Sequence, residues 1–137
     1  MYISKRDREI IKNKFSGRCA YSGTLLEDDW QVDHIKAVKR NFVFGGCDNI
    51  ENHNILNMFP AQKIINHYKH SYSIEELRYL LNGLHERISK LPKNPRTEKS
   101  AKHKLYMLKL ASYFNITETN KFSGKFYFET IEQGEII

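Results

Sequence analysis

Cysteine and proline are scarce in this sequence. The 137 residues include only two cysteines, Cys19 and Cys47, and three prolines. Two thiols can build neither a disulfide framework nor a four-thiolate zinc site within one chain, so both are expected to be free. The sequence also lacks any apolar run of about 20 residues, the length that a membrane-spanning helix needs. Residues 1–9 are too charged for a signal peptide, so a cytoplasmic protein with no membrane partner is expected.

An excess of acidic residues is missing as well. Lys and Arg together number 22 against 16 for Asp and Glu, which gives a net charge of +6 and a pI near 9.3. This balance favours polyanionic partners. A hydrophobic content of 40% with 12% aromatic residues is typical of a globular protein. The length predicts a single domain over residues 1–137.

Apolar spacing and capping residues predict three helices outside the central part of the chain. Ser4 is expected to cap a helix over 5–15 that Gly17 ends. Ser73 to Glu76 form a capping box for a helix over 73–90. A third helix is expected over 98–114. The predicted buried positions of these helices are, in order, Ile10, Ile11 and Phe15; Ile74, Leu77, Leu81, Leu84 and Ile88; and Leu105, Leu108 and Ala111.

The central part of the chain predicts strand, strand and helix. Residues 30–35 form a half-buried strand, and a second short strand lies within 50–59. Pro60 is expected to open a helix that continues to about Lys69. The alternating residues of 124–131 predict a C-terminal strand. An α+β domain follows from this order.

An acid and an imidazole stand side by side in the first of these strands, as Asp33 and His34. Neighbouring strand residues point to opposite faces, so the two can serve one site only if the strand ends or bends there. Asn57, Asn66 and Lys69 follow downstream. This layout predicts metal-assisted cleavage of nucleic acid.

Residues 18–78 resemble the HNH endonuclease domain, which has the ββα-metal fold. The resemblance depends on three segments, residues 32–35 (Val-Asp-His-Ile), 57–61 (Asn-Met-Phe-Pro-Ala) and 66–69 (Asn-His-Tyr-Lys). Residues 73–78 and 126–129 also look like a stand-alone bacterial and phage branch of that family. The resemblance implies a ββα-metal core over about 18–70, with flanking helices and the C-terminal strand around it.

The resemblance also implies a role for each residue of the site. Asp33 is a ligand of a Mg²⁺ or Mn²⁺ ion, His34 is the general base, and Asn57 braces the loop, although Asn52 and Asn54 are alternatives for that last role. Asn66 is the last metal ligand, and His67 replaces it if the helix is out of register by one residue. Lys69, one turn beyond Asn66, is predicted to contact a neighbouring phosphate.

The chain departs from the family in its cysteines. Members of this branch commonly carry two Cys-x-x-Cys pairs that bind structural zinc. The corresponding residues here are Cys19 and Ser22 in the first pair and Gln62 and Ile65 in the second, so three of the four sulfurs are missing. A structural zinc is therefore not expected, and apolar contacts of Ile65 and Tyr21 are predicted to hold this part of the fold.

The implied function is divalent-metal-dependent hydrolysis of DNA, in the double-stranded form. A non-catalytic nucleic-acid-binding module and a protein-interaction module stay open as alternatives, as do a homodimer and a larger protein partner. Basic side chains that could follow the DNA backbone, or could simply form a solvated face, are Lys36, Lys39, Arg40, Lys63, Arg87, Lys90, Lys93 and Arg96.

Overall fold

The computed structural model describes residues 2–40, 43 and 45–131 of the chain, without the side chains of residues 39 and 40. The chain divides into two compact units, which are described separately. Unit 1 comprises Met1–Ile74 and Phe126–Ile137, and unit 2 comprises Glu75–Lys125.

Helices and short strands give an α+β protein, as the sequence predicts. The helices are α1 Lys5–Asn13, α2 Lys63–Lys69, α3 Ile74–Asn82, α4 Leu84–Ser89, α5 Glu98–Tyr113 and α6 Tyr127–Thr130. The strands are β1 Gln31–His34, β2 Lys39–Arg40, β3 Cys47–Asp48 and β4 Met58–Ala61, and single 3₁₀ turns cover Ile50–Asn52 and Ile55–Asn57. None of the helices in the described residues is both long and apolar enough to cross a membrane.

In unit 1, β1 pairs antiparallel with β4, and α2 follows directly. The register places Asp33 opposite Phe59 and His34 opposite Met58. The prediction that Pro60 opens the helix is wrong, because Pro60 lies within β4 and α2 begins at Lys63. A proline without an N–H is tolerated in a sheet of two strands, each of which has a free edge. Its carbonyl accepts a hydrogen bond from the Ala20 amide at 2.9 Å.

Helix α1 packs against β4 through one face. The hydroxyl of Ser4 accepts a hydrogen bond from the Asp7 amide at 3.0 Å, which confirms the predicted cap. Ile11 and Phe15 are buried, whereas Ile10 is 42% exposed. The prediction for Ile10 is therefore wrong, since residues four apart share a helix face and a direct neighbour lies about 100° away.

The C-terminal strand predicted over 124–131 is also wrong. The chain forms the one-turn helix α6 there, and the Phe126 amide donates to Glu129 Oε1 at 2.9 Å. The amides of Tyr127 and Phe128 donate to the carbonyls of Tyr21 and Ala20, both at 2.9 Å. These bonds dock the segment on a turn of unit 1. The alternating aromatic residues thus serve an aromatic cluster and not a strand face.

Unit 2 contains α3, α4 and α5. The helix predicted over 73–90 is divided at Gly83, which lies between α3 and α4. Four of its five predicted core positions are buried, namely Leu77, Leu81, Leu84 and Ile88. In α5 the predictions for Leu105 and Leu108 are wrong, because these residues are 69% and 40% exposed, whereas the prediction for Ala111 is confirmed at 1% exposure. The buried residues of α5 are Met107, Leu110 and Ala111.

Candidate functional site

Helix α2 lies along β1 and contacts alternate residues of that strand. Gln31 and Asp33 share one strand face because they are two residues apart. Asn66 Nδ2 donates to Gln31 Oε1 at 2.9 Å, and Lys69, one helical turn later, contacts Asp33. The order of β1, β4 and α2 therefore places the acid of the Asp-His pair between the sheet and the helix.

Asp33 forms a buried network with Tyr21 and Lys69. Its carboxylate is 2% exposed, Lys69 Nζ lies 3.2 Å from Oδ1, and the Tyr21 hydroxyl donates to Oδ2. Lys69 is fully buried and also donates to the His34 carbonyl at 3.0 Å. Burial raises the pKa of Asp33, although the Lys69 charge and the two hydrogen bonds act in the opposite direction. Burial and the neighbouring Asp33 charge raise the pKa of Tyr21, which keeps its hydroxyl protonated as a donor.

His34 lies at the end of β1 and is half-buried. Its Nε2 is 3.0 Å from Nδ1 of His53, and the ring centroids are 5.2 Å apart. Burial is the main cause that lowers the pKa of His34, and the charges of His53 and Lys69 add to this shift. A histidine with a lowered pKa is a neutral base at pH 7.

Asn57 closes the loop that follows His34. Its Oδ1 accepts from the Lys36 amide at 2.8 Å, and its Nδ2 donates to the carbonyls of Lys36 at 2.8 Å and Asn52 at 2.7 Å. Its own carbonyl accepts from the Ile35 amide at 2.9 Å. Asn54 donates only to the nearby Glu51 carbonyl. Of the three candidate asparagines, Asn57 therefore makes most of the bracing contacts.

Two further residues support this loop, and sequence reasoning missed one of them. Lys14 Nζ donates to the carbonyls of Ile55 and Met58, which flank Asn57, the latter at 2.7 Å. Asn52 Nδ2 donates to the Ala37 carbonyl at 3.3 Å. Desolvation lowers the pKa of Lys14. Nothing in the spacing of Lys14 indicates this role, because the contact joins residues more than 40 positions apart in the sequence.

The described residues do not fit a divalent ion as they are arranged. Both oxygens of Asp33 are engaged, and an ion at Asp33 would have to displace Tyr21 or Lys69. Asn66 is directed to Gln31, and His67 is exposed. Among the described residues, no group of three His, Cys, Asp or Glu side chains is placed to hold a metal. Asp33 and Asn66 thus face the same space between β1 and α2 without forming a ready cation site.

The turn that contains Cys19 and Ser22 and the residue before α2, Gln62, where no structural zinc is expected, are linked by a polar network. Gln62 is fully buried; its Oε1 accepts from the Glu27 amide at 3.1 Å, and its Nε2 donates to Thr24 Oγ1 and the Leu25 carbonyl at 3.0 and 2.8 Å. Ile65 and Tyr21 are buried as predicted, at 0% and 1% exposure. Apolar contacts alone do not hold this part of the fold, however, because the buried amide of Gln62 also bonds to residues 24, 25 and 27.

The basic residues predicted to bind DNA occupy different places. Lys36 and Lys63 in unit 1 are exposed, as are Lys90, Lys93 and Arg96 in unit 2. Arg87 is half-buried and donates to the Leu80 carbonyl. The side chains of Lys39 and Arg40 lie outside the described part of the chain. Lys69 is buried against Asp33, so it does not reach the surface where a phosphate contact was predicted.

No family model, no curated protein and no solved structure matches this chain in comparisons with known proteins.

Proposed function

We propose that this protein is an endonuclease that hydrolyses phosphodiester bonds of double-stranded DNA, with His34 as the general base. The observation that carries the proposal is the Asn57 brace beside a half-buried histidine. Two side-chain hydrogen bonds of Asn57 hold Lys36 in the loop after His34, and a third holds Asn52, the residue before His53. Such bracing has a purpose where a side chain must be held in one orientation for reaction.

The proposed fold at the site is a ββα-metal core built from β1, β4 and α2. The antiparallel pair of strands followed directly by a helix has the order that the family resemblance implies. The Asp-His pair stands at the end of β1, where its two side chains leave the strand on different sides. Asp33 then serves the interior, and His34 faces the partly open side.

In this proposal the chain's own residues divide the chemistry between them. His34, neutral because of its lowered pKa, takes a proton from the attacking water. Asn57 keeps the His34 loop closed. Lys36, exposed two residues after His34, contacts a phosphate of the DNA backbone. A positive surface of this kind agrees with the net charge of +6.

A dependence on Mg²⁺ or Mn²⁺ belongs to the proposal, as does a cytoplasmic location. Because Asp33 and Asn66 as arranged do not fit an ion, the proposed role of His34 does not depend on one. Incubation with and without a divalent ion measures the metal dependence separately from that role.

The test is incubation of the purified protein with supercoiled plasmid, with Mg²⁺, with Mn²⁺ and with a chelator. The proposal expects nicked or linear product with at least one of the two ions and intact plasmid with the chelator. Cleavage that continues in the presence of the chelator would contradict the metal dependence but would support the nuclease activity. Intact plasmid under every condition would contradict the nuclease.

The engaged carboxylate of Asp33 favours a second candidate, a nucleic-acid-binding module without catalysis. Such a module would use the same exposed lysines and shift the plasmid's mobility without cutting it. Salt-sensitive binding with no cleavage under either ion would support this alternative. A protein-interaction module would show neither binding nor cleavage.

A further inference from the structure

His53 lies between the two 3₁₀ turns and is held there by the backbone. Its amide donates to the Ile50 carbonyl at 2.9 Å, and the carbonyl of the preceding residue, Asn52, accepts from Asn57 Nδ2 at 2.7 Å. The brace that closes the His34 loop therefore also fixes the segment that carries His53. Both histidines depend on the same asparagine for their positions.

The two ring nitrogens of His53 have different partners. Nδ1 lies 3.0 Å from Nε2 of His34, and Nε2 lies 3.4 Å from the Tyr2 carbonyl. A carbonyl oxygen can only accept a hydrogen bond, so the proton of a neutral His53 belongs on Nε2. Its Nδ1 then carries a lone pair and must accept.

The same reasoning passes from His53 to His34. Because His53 Nδ1 accepts, His34 Nε2 carries the proton, and Nδ1 of His34 holds the lone pair. Among the described residues, no hydrogen-bond partner contacts His34 Nδ1. The backbone carbonyl at one end of the chain of hydrogen bonds thus determines which nitrogen is basic at the other end.

We propose that His53 is a positioning residue that holds neutral His34 in the tautomer with its proton on Nε2, so that Nδ1 is the nitrogen that accepts the proton of water. The proposal rests on the proposed function in one respect only, which is that His34 acts as the base. The tautomer itself is a property of the folded protein and can be measured without any reaction.

The experiment compares the wild-type chain with His53→Asn and His53→Leu. The Oδ1 of an asparagine occupies about the place of the imidazole Nδ1 and can accept from His34, whereas leucine has a similar size and cannot accept. Two-bond ¹H–¹⁵N correlation spectra at pH 8, above the ordinary histidine pKa of about 6.5, give the tautomer of His34 directly. Urea unfolding of each variant shows whether it is folded.

The expected pattern is one tautomer, protonated on Nε2, in the wild type and in His53→Asn. His53→Leu should show a mixture of tautomers and a kcat for plasmid cleavage lowered by about 10–100-fold, the effect of losing a partner that orients a histidine. KM should change little, and His53→Asn should restore most of kcat.

A wild-type spectrum with the His34 proton on Nδ1 would overturn the proposal, and this result can be obtained with the wild-type protein alone. An unchanged tautomer and unchanged kcat in folded His53→Leu would overturn it as well. If the wild type does not cleave DNA at all, the proposed function fails, while the spectra still decide the hydrogen-bond chain.

Discussion

Among single residues, we expect the largest loss of folding stability from a change in the buried pair of Asp33 and Lys69. The Lys69 ammonium is fully buried and has Asp33 and the His34 carbonyl as partners. Removing one member of a buried ion pair leaves the other charge without compensation. Loss of either partner should therefore weaken the packing of α2 on β1. Replacement of both by an apolar pair of the same shape should change the free energy of unfolding little.

Lys69→Met should lower the free energy of unfolding by about 3–5 kcal/mol, the usual cost of breaking a buried pair on one side. Urea unfolding followed by circular dichroism measures this. Lys63→Met is the matched control, because Lys63 is exposed on the same helix and should change stability by no more than about 0.5 kcal/mol. Equal stability of the two variants would show that Lys69 is not buried as described.

The brace at Asn57 is the second residue whose effect can be separated from its surroundings. Asn57→Ala removes two hydrogen bonds with Lys36 in the loop after His34 and one with Asn52. It should lower the free energy of unfolding by about 1–3 kcal/mol, since backbone groups of Lys36 and Asn52 lose their partners. The rate of plasmid cleavage should fall by much more than the decrease in the folded fraction explains. Asn54→Ala, which removes one local bond, should leave both stability and cleavage close to wild type. Equal losses in the two variants would contradict the assignment of the brace.

At the scale of elements, the end of α2 contains an unfavourable backbone conformation. His70 follows the helix with φ 52° and ψ −128°. Side chains with a Cβ avoid this region, whereas glycine does not. The residue directly after Lys69 is thus strained where the buried ammonium has to be placed.

His70→Gly should raise the free energy of unfolding by about 1 kcal/mol, through relief of this strain. His67→Gly provides the opposite control. His67 lies within α2, where glycine is less favourable than histidine by roughly 0.3 kcal/mol, so this variant should be slightly less stable than wild type. Thermal unfolding of both variants should therefore give shifts of opposite sign. A lower melting temperature for His70→Gly would contradict the described conformation.

The sequence predicts an element well where local signals agree with packing. The Ser4 cap, the stripe from Leu77 to Ile88 and the extent of α5 are of this kind. It fails where a distant partner decides, as at α6, whose amides bond to the turn at Ala20 and Tyr21. The helix predicted over 73–90 fails at Gly83 for a local reason, because glycine weakens a helix interior.

The candidate site was predictable to a similar degree. The motif spacing predicts Asp33, His34 and Asn57 as site residues. The structure places Asp33 and His34 at the end of β1 and bonds Asn57, just before β4, to Lys36 in the loop that follows β1. The partners of Asp33 and His34 were not predictable, since Lys69 and His53 are 36 and 19 residues away from them in sequence. The alternating pattern of a strand says which face a side chain takes and not which side chain meets it there.

At the scale of the whole molecule, the positive charge is divided between the two units. Lys36 and Lys63 are exposed in unit 1, and Lys90, Lys93 and Arg96 are exposed in unit 2. Each phosphate contact of a protein contributes about 0.9 to the slope of log affinity against log salt concentration. The salt dependence of DNA binding therefore gives the number of basic side chains that contact phosphates.

If the unit 2 residues contact DNA, changing Lys90, Lys93 and Arg96 together to Gln should reduce that slope by about 2.7, which is three contacts of 0.9 each. Fluorescence anisotropy with a labelled duplex at several salt concentrations measures it. An unchanged slope would show that these three side chains form a solvated face. The variant should keep wild-type stability, because all three residues are exposed.

Single-turnover cleavage of plasmid by His34→Ala tests the proposed role of His34 as the general base. The rate should fall by about 10²–10⁴-fold, the contribution of a positioned general base, while DNA affinity and stability stay near wild type. His67→Ala, an exposed histidine on α2, should cleave at the wild-type rate. A folded His34→Ala variant that cleaves as fast as wild type would contradict this role of His34.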